Sequence, residues 1–276
     1  MANQISLTSG MRNNLLSLQS TSTLINQTQN RLSSGKKVNT PLDNPTNYFA
    51  AQSHLQRAGD LSARKDGMSE AIQMVRAADA GIKAITSLIE SAKGVAQAAL
   101  ASGVTDDRTA YAATFDELRN QIDDLASDSG YRGTNFLTSG TQTVEFSQAT
   151  GTSTLQITGF DATATGLDIT AAAATWSGTN STTTDAISDS SSELEDALNT
   201  LRSESSKLSS NLSVVTTRQE FTSSMINELQ TGSDNLTLAD MNEEGANMLM
   251  LQTRQNLGIS SLSMASQAAQ AVMKLF

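Results

Sequence analysis

Two stretches at opposite ends of the chain, Asn13 to Asn30 and Gln255 to Met273, carry no charged residue, and both keep helical apolar spacing. A soluble monomer normally covers exposed helix faces with Lys, Glu, Arg and Asp. Here Ser, Thr, Asn and Gln stand in those places. Such faces suit helices enclosed by copies of themselves. A buried charge is costly there, whereas a hydroxyl or amide finds a partner. The ends are built for assembly and the middle for water.

Composition narrows the fold. The chain has 276 residues and only two prolines, Pro41 and Pro45, so long helices run uninterrupted. Aromatics make up 4%, and Ala, Leu, Ile and Met carry the apolar load, as in extended bundles. There is no Cys, which excludes a disulfide framework, a thiolate metal site and a Cys nucleophile. Lacking thiols is also safe for a chain that crosses unfolded into an oxidising space. The net charge of −10 opposes nucleic-acid binding, and Lys36-Lys37 is too short a basic run to reverse that. Met1 to Gly10 has neither the positive start nor the apolar run of a cleavable secretion signal. The apolar C-terminus is interrupted by Ser260, Ser261, Ser263, Ser266, Gln267 and Gln270, so no membrane insertion is expected.

Along the chain, Met11, Leu15, Leu18, Ser22, Ile25, Gln29 and Leu32 alternate spacings of four and three, a coiled-coil seam with polar interruptions. Gly35 breaks it, and Asn39 to Pro45 reads as a rigid connector. A second seam runs Leu61, Arg64, Met68, Ala71, Val75, Ala78, Ile82, Ile85, Ile89, Ala92, Ala96 and Ala99, with only Arg64 out of place. Ser102-Gly103 ends it. Thr105-Asp106-Asp107 is expected to cap a third helix bearing Tyr111, Phe115, Leu118, Ile122 and Leu125. From Tyr131 to about Thr184 the composition turns to Thr, Ser, Gly and Ala. There the pairs Val144/Phe146, Leu155/Ile157 and Leu167/Ile169 predict short hairpins in an exposed insertion holding the lone Trp176. A fourth helix carries Ile187, Leu194, Leu198, Leu201, Leu208, Leu212, Val215, Ile226 and Leu229, with Ser191, Ser205, Gln219 and Thr222 completing the frame, and is expected to stop at Thr231-Gly232. Thr237 and Asp240 make a capping-box-like start for the last helix. The expected fold is mainly α: a long antiparallel helical bundle or coiled coil with paired N- and C-terminal helices and a small β-hairpin insertion.

Arg31-Leu32-Ser33-Ser34-Gly35-Lys36-Lys37-Val38-Asn39, followed by Asp43-Asn44-Pro45, resembles the N-terminal signature of bacterial flagellins. Gln252 to Phe276, with Gly258-Ile259-Ser260 and Gln267-Ala268-Ala269-Gln270-Ala271-Val272, is similar to the flagellin C-terminus. Tyr131-Arg132-Gly133-Thr134-Asn135-Phe136-Leu137 is similar to the segment closing the family's N-terminal helices. The likeness spans nearly the whole chain except about Thr138 to Thr184. It implies a flagellar filament subunit, without enzyme activity or cofactor. Residues 1–38 and 235–276 would form an inner-tube coiled coil, residues 39–137 and 185–234 a helical bundle, and residues 138–184 a small β-rich variable insertion. It further implies unfolded export by the flagellar type III apparatus, tip assembly under a cap protein, an export chaperone on the C-terminal region, hook–filament junction partners and an extracellular location. The assembly seams would comprise Met11, Leu15, Leu18, Ile25 and Leu32, with Leu249, Leu257, Ile259, Leu262, Val272, Met273 and Phe276. Many enterobacterial-type flagellins carry Leu-Gln-Arg-x-Arg-Glu, a contact for an innate immune receptor. The corresponding residues here are Leu88, Ile89, Glu90, Ser91, Ala92 and Lys93. Both arginines are missing and one is replaced by an acid, so weak receptor activation is expected.

A subunit binding head-to-tail through unlike patches makes an open helical polymer. Its ends must not fold stably alone. Isolated, such neutral helices bury too little apolar area to offset ordering entropy of about 1–2 kcal/mol per residue. In a polymer each seam gains roughly 25 cal/mol per Å² buried, so folding of the ends is coupled to assembly.

Single residues carry little catalytic promise. His54 is the only histidine, which excludes a two-His metal site or an H-E-x-x-H peptidase, and reads as a surface helix residue. Asp106-Asp107, Asp123-Asp124 and Glu243-Glu244 read as helix caps and solvated faces. Met248, Met250, Met264 and Met273 read as adaptable packing. Arg12, Arg31 and Arg254 either pair across subunits or face solvent. The Ser/Thr-rich insertion reads as solvated turns or as O-glycan acceptors. The rival readings are a hook–filament junction protein, an enzyme displayed on a filament and a signalling coiled coil. The short insertion without His opposes the second, and the charge-free ends oppose the third.

Overall fold

The computed structural model describes residues 9–147, 153–172 and 175–275. Five helices occur in it, α1 (Ser9–Ser34), α2 (Pro45–Ala101), α3 (Thr105–Asp128), α4 (Ser181–Thr237) and α5 (Met241–Leu275). Two strands, β1 (Thr141–Glu145) and β2 (Thr154–Thr158), lie between α3 and α4. They form one antiparallel hairpin, with Val144 opposite Leu155. The mainly α architecture with a small hairpin is as expected from the apolar spacing. By contact the chain forms two compact units: Met1–Gln56 with Asn227–Phe276, and Arg57–Ile226.

The second unit is built on the expected seams. From Met68 to Ala99 every seam residue of α2 is buried, against Ala112, Phe115 and Ile122 of α3 and Ile187, Leu194, Leu201 and Leu208 of α4. The seam alanines Ala71, Ala78, Ala92, Ala96 and Ala99 are small enough to let the helices approach closely. Polar pairs mark the α2–α4 alignment: the Gln219 amide donates to Ser69 Oγ at 2.7 Å, and Lys93 Nζ lies 2.5 Å from Glu195. Arg64, the one charged seam residue, is ion-paired with Glu145 on β1.

Four local expectations need correction. Leu167 and Ile169 form no second hairpin. Their segment folds into turns: the amides of Leu167 and Ile169 donate to the carbonyls of Thr163 (2.9 Å) and Ala164 (2.8 Å), and neighbouring amides go to carboxylates instead of a strand partner. The amides of Ala164 and Ala172 donate to Asp123 at 2.6 Å and Asp116 at 2.8 Å on α3, and that of Thr170 donates to Glu193 at 2.9 Å on α4. Nor is this segment an exposed appendage. Val144, Ile157, Leu167, Ile169 and Trp176 join the helical core, Trp176 with its ring centre 4.9 Å from that of Phe115.

The N-cap of α3 is Val104, without a side-chain cap, and Asp106 and Asp107 sit in the first turn. Arg108 is buried there instead. Its guanidinium donates to the carbonyls of Ala99 (3.2 Å), Ser102 (2.8 Å) and Gly178 (2.9 Å), satisfying the end of α2.

Finally, α4 does not stop at Thr231-Gly232 but runs to Thr237, because Ser233 and Thr237 are buried and their packing outweighs one glycine. Thr237 therefore closes α4, and Asp240 alone caps α5, its Oδ1 accepting the amides of Asn242 (2.8 Å) and Glu243 (3.3 Å).

Candidate assembly surfaces

In the first unit α1 and α5 pack antiparallel along their length. Three contacts fix the alignment. Asn14 Nδ2 donates to Ser261 Oγ at 3.1 Å. Leu18 fills the space over Gly258, where a Cβ would stand 2.6 Å from Leu18 Cδ2. Arg31 Nη1 lies 3.0 Å from Glu244 Oε1.

The buried face of α1 differs from the expected one on alternate positions. Met11, Leu18, Ile25 and Leu32 lie on it, but Asn14, Thr21 and Thr28 accompany them where Leu15, Ser22 and Gln29 were expected. Thr21 tolerates burial because its hydroxyl donates to the Ser17 carbonyl at 2.8 Å. Leu15, Leu16 and Leu24 are thereby left exposed. On α5 the inward row is Glu244, Met248, Leu251, Gln255, Gly258, Leu262 and Ala265, all buried or half-buried. Leu249, Met250, Leu257, Ile259 and Met264 are exposed. Phe276 and the side chains of Val272 and Met273 lie outside the described residues.

Of the three terminal arginines, Arg31 pairs within its own chain. Arg12 and Arg254 make no ion pair among the described residues. Glu244 is buried and not on a solvated face, a role its first-turn position in α5 had concealed. His54 is half-buried beside Gly232.

The joint between α1 and α2 is a compact hydrogen-bonded turn. Gly35 adopts φ +70° and donates its amide to the Arg31 carbonyl at 2.8 Å, ending α1. Lys37 and Val38 donate their amides to the Thr237 carbonyl at 2.7 and 3.2 Å. Asp43 Oδ2 accepts the amides of Asn39 (3.0 Å) and Thr40 (2.9 Å). Those backbone donors hold the Asp43 carboxyl below its ordinary value. Asn44 caps α2, its Oδ1 accepting the Asn47 amide at 3.1 Å, with Pro45 at the first helical position. The signature residues of this region thus serve a backbone joint.

On α2 the segment of residues 88–93 splits by face. Ile89 and Ala92 are buried, Leu88 is half-buried and Glu90 is exposed. Lys93 is engaged by Glu195, whose carboxyl it holds below the ordinary range through a hydrogen bond and its charge.

Among the described residues no cluster of His, Cys, Asp and Glu could hold a metal ion, and no helix is long and apolar enough to cross a membrane.

Comparison with known proteins agrees with the likeness at both ends. The bacterial flagellin N-terminal helical region matches residues 5–143, and the bacterial flagellin C-terminal helical region matches residues 191–276. Flagellin FljM of Caulobacter vibrioides is 30% identical, over 99% of this chain and 98% of its own length. A flagellin of Brucella melitensis is 26% identical, over 95% of each chain. The crystal structure of Bacillus cereus flagellin matches 56% of this chain and 88% of its own length, at 18% identity and a TM-score of 0.45.

Proposed function

The chain belongs to the bacterial flagellin family, and from that premise we propose that it adds to the growing filament through the outward faces of α1 and α5. Flagellins are structural filament proteins, not enzymes, and the chain is a filament subunit of that kind. The observation that supports the assembly reading is the exposure of Leu15, Leu16, Leu24, Leu249, Leu257 and Ile259 on two helices whose flanks beside them are neutral apart from Arg12 and Arg254. Exposed apolar rows of this extent mark interaction sites. Neutral flanks accept a like surface without charge repulsion.

The finer steps follow the family. The subunit leaves the cell unfolded through the flagellar type III apparatus, its C-terminal region held by a chaperone, and joins the extracellular filament at the tip beneath a cap. Junction proteins link the filament to the hook. Weak activation of the innate receptor follows from the residue 88–93 segment.

Deleting residues 1–34 and 241–276 tests the assembly reading. The expected product is a helical, soluble protein that neither elongates filament fragments nor nucleates filaments. Normal polymerisation of that protein would overturn it. A few-copy junction adaptor is the second reading, and self-polymerisation of the pure full-length chain into long filaments excludes it.

A further inference from the structure

The outer face of α5 carries a row of side chains spaced by seven: Met250, Leu257 and Met264, which are 57%, 66% and 64% exposed. A seven-residue repeat returns to nearly the same side of a helix, so the three share one face. Glu243 holds the preceding place of the repeat and closes the row at its start. Beyond Arg254 no charge adjoins it before Lys274. The inward row of α5, through Leu251, Gly258 and Leu262, already packs against one neutral helix, α1. The outer row repeats that chemistry, flanked by Thr253, Ser260 and Ser261 and by a single charge, Arg254, between Met250 and Leu257. A helix of a second copy of this chain, with the same neutral flanks and outward leucines, fits it.

Two of the three places are thioethers. Both stand in water in the free subunit, whereas Met11 and Met68 are buried. We propose that Met250 and Met264 are oxidation sites that control whether a subunit joins the filament; this rests on the assembly reading above. With hydrogen peroxide as oxidant, the peroxide O–O bond breaks, one oxygen forms the S–O bond of the sulfoxide, and the other, keeping both protons, departs as water. Sulfur is oxidised and the peroxide reduced. The sulfoxide oxygen then demands a hydrogen-bond donor that an apolar seam lacks, so the seam no longer forms. In the filament a neighbouring helix covers both sulfurs and protects them.

The full-length chain is treated with hydrogen peroxide, sulfoxides are located by mass spectrometry, and elongation of filament fragments is followed by light scattering. The critical concentration is expected to rise about tenfold or more, the equivalent of losing one buried side chain's apolar contact. The Met250→Leu/Met264→Leu variant keeps apolar side chains of similar volume and cannot be oxidised there. After peroxide it is expected to elongate like untreated protein, with half-exposed Met241 as an oxidisable control. Methionine sulfoxide reductase is expected to restore the wild-type chain. Normal elongation by chains carrying both sulfoxides would overturn the proposal, as would loss of elongation in the peroxide-treated leucine variant. Failure of untreated wild type to elongate would instead overturn the assembly reading.

Discussion

Arg31 on α1 and Glu244 on α5 form a 3.0 Å ion pair between two otherwise neutral helix faces, and Glu244 is buried. Arg31 Nε and Glu244 Oε2 are also enclosed and have no hydrogen-bond partner. The pair therefore carries a desolvation cost that one hydrogen bond offsets only in part. What it gains is alignment. A slip of α1 along α5 would strand a carboxylate among apolar groups. Arg31→Ala is expected to cost about 2 to 3 kcal/mol, reduced from the fully buried case because Arg31 is partly open to solvent. Arg31→Met with Glu244→Leu is expected to recover most of that loss. Thermal depolymerisation of filaments from the single and double variants measures the coupling, and simple additivity would contradict it.

Asp43 gives the joint between α1 and α2 a pH dependence of known sign. Its carboxyl is held below the ordinary value of 3.8, chiefly by the amides of Thr40 and Asn39. A depressed folded pKa contributes stability above the unfolded value, and that contribution fades as pH falls through the folded one. Asp43→Ala is therefore expected to lower the thermal midpoint at neutral pH. The gap from wild type should narrow only below the ordinary aspartate range, where both proteins lack the charge. Melting curves across that interval decide it. A gap constant down to strong acid would show that the carboxylate's charge is irrelevant to the joint.

The residue 88–93 segment offers little to a receptor that reads arginines. Ile89 and Ala92 face the core, Lys93 is held by Glu195, and Glu90 is the exposed charge. Purified free subunit is expected to give a weak response in a reporter assay for the innate flagellin receptor. Glu90→Arg is expected to strengthen it. A strong wild-type response would contradict this.

How much of this was legible beforehand depended on how many choices each residue left. The α2 seam from Met68 to Ala99 was, because small and branched apolar residues keep one strict frame and α3 and α4 fill the same side. The α1 seam was legible only on every second position. Leucines stand on both candidate faces, and apolar spacing cannot tell that Asn14, Thr21 and Thr28 turn inward, the first two with a hydroxyl or carbonyl partner. Glu244 read as an ordinary charge, because its partner Arg31 lies on a segment distant in sequence, and nothing local marked Arg108 for its bond to Gly178. Leu167 and Ile169 had the spacing of a strand, but their own amides close turns onto Thr163 and Ala164, while carboxylates at Asp123, Glu193 and Asp116 take the neighbouring amides of Ala164, Thr170 and Ala172. A carboxylate spaced along a helix as a receptor for a crossing strap has no local signature.

Two glycines of α2 separate backbone propensity from packing. At Gly81 an added Cβ would stand 2.3 Å from Oγ of the half-buried Ser129, just past the end of α3, and 2.6 Å from Cδ1 of the buried Leu137. At Gly94 nothing lies within 4 Å. Alanine favours a helix over glycine by about 1 kcal/mol at either place. At Gly94 that gain is unopposed, so Gly94→Ala is expected to raise stability by about that amount. At Gly81 it meets overpacking of about 1 to 3 kcal/mol, with Ser129 already fixed by its hydrogen bond to the Leu125 carbonyl at 2.7 Å. Gly81→Ala is therefore expected to be neutral to destabilising. Gly81→Ala with Ser129→Gly is expected to recover part of the loss by removing the nearest obstruction. Urea unfolding followed through Trp176, which packs in the same core, reads all three variants. Equal stabilisation by the two alanines would show that α3 does not approach α2 as closely as the Gly81 contact requires.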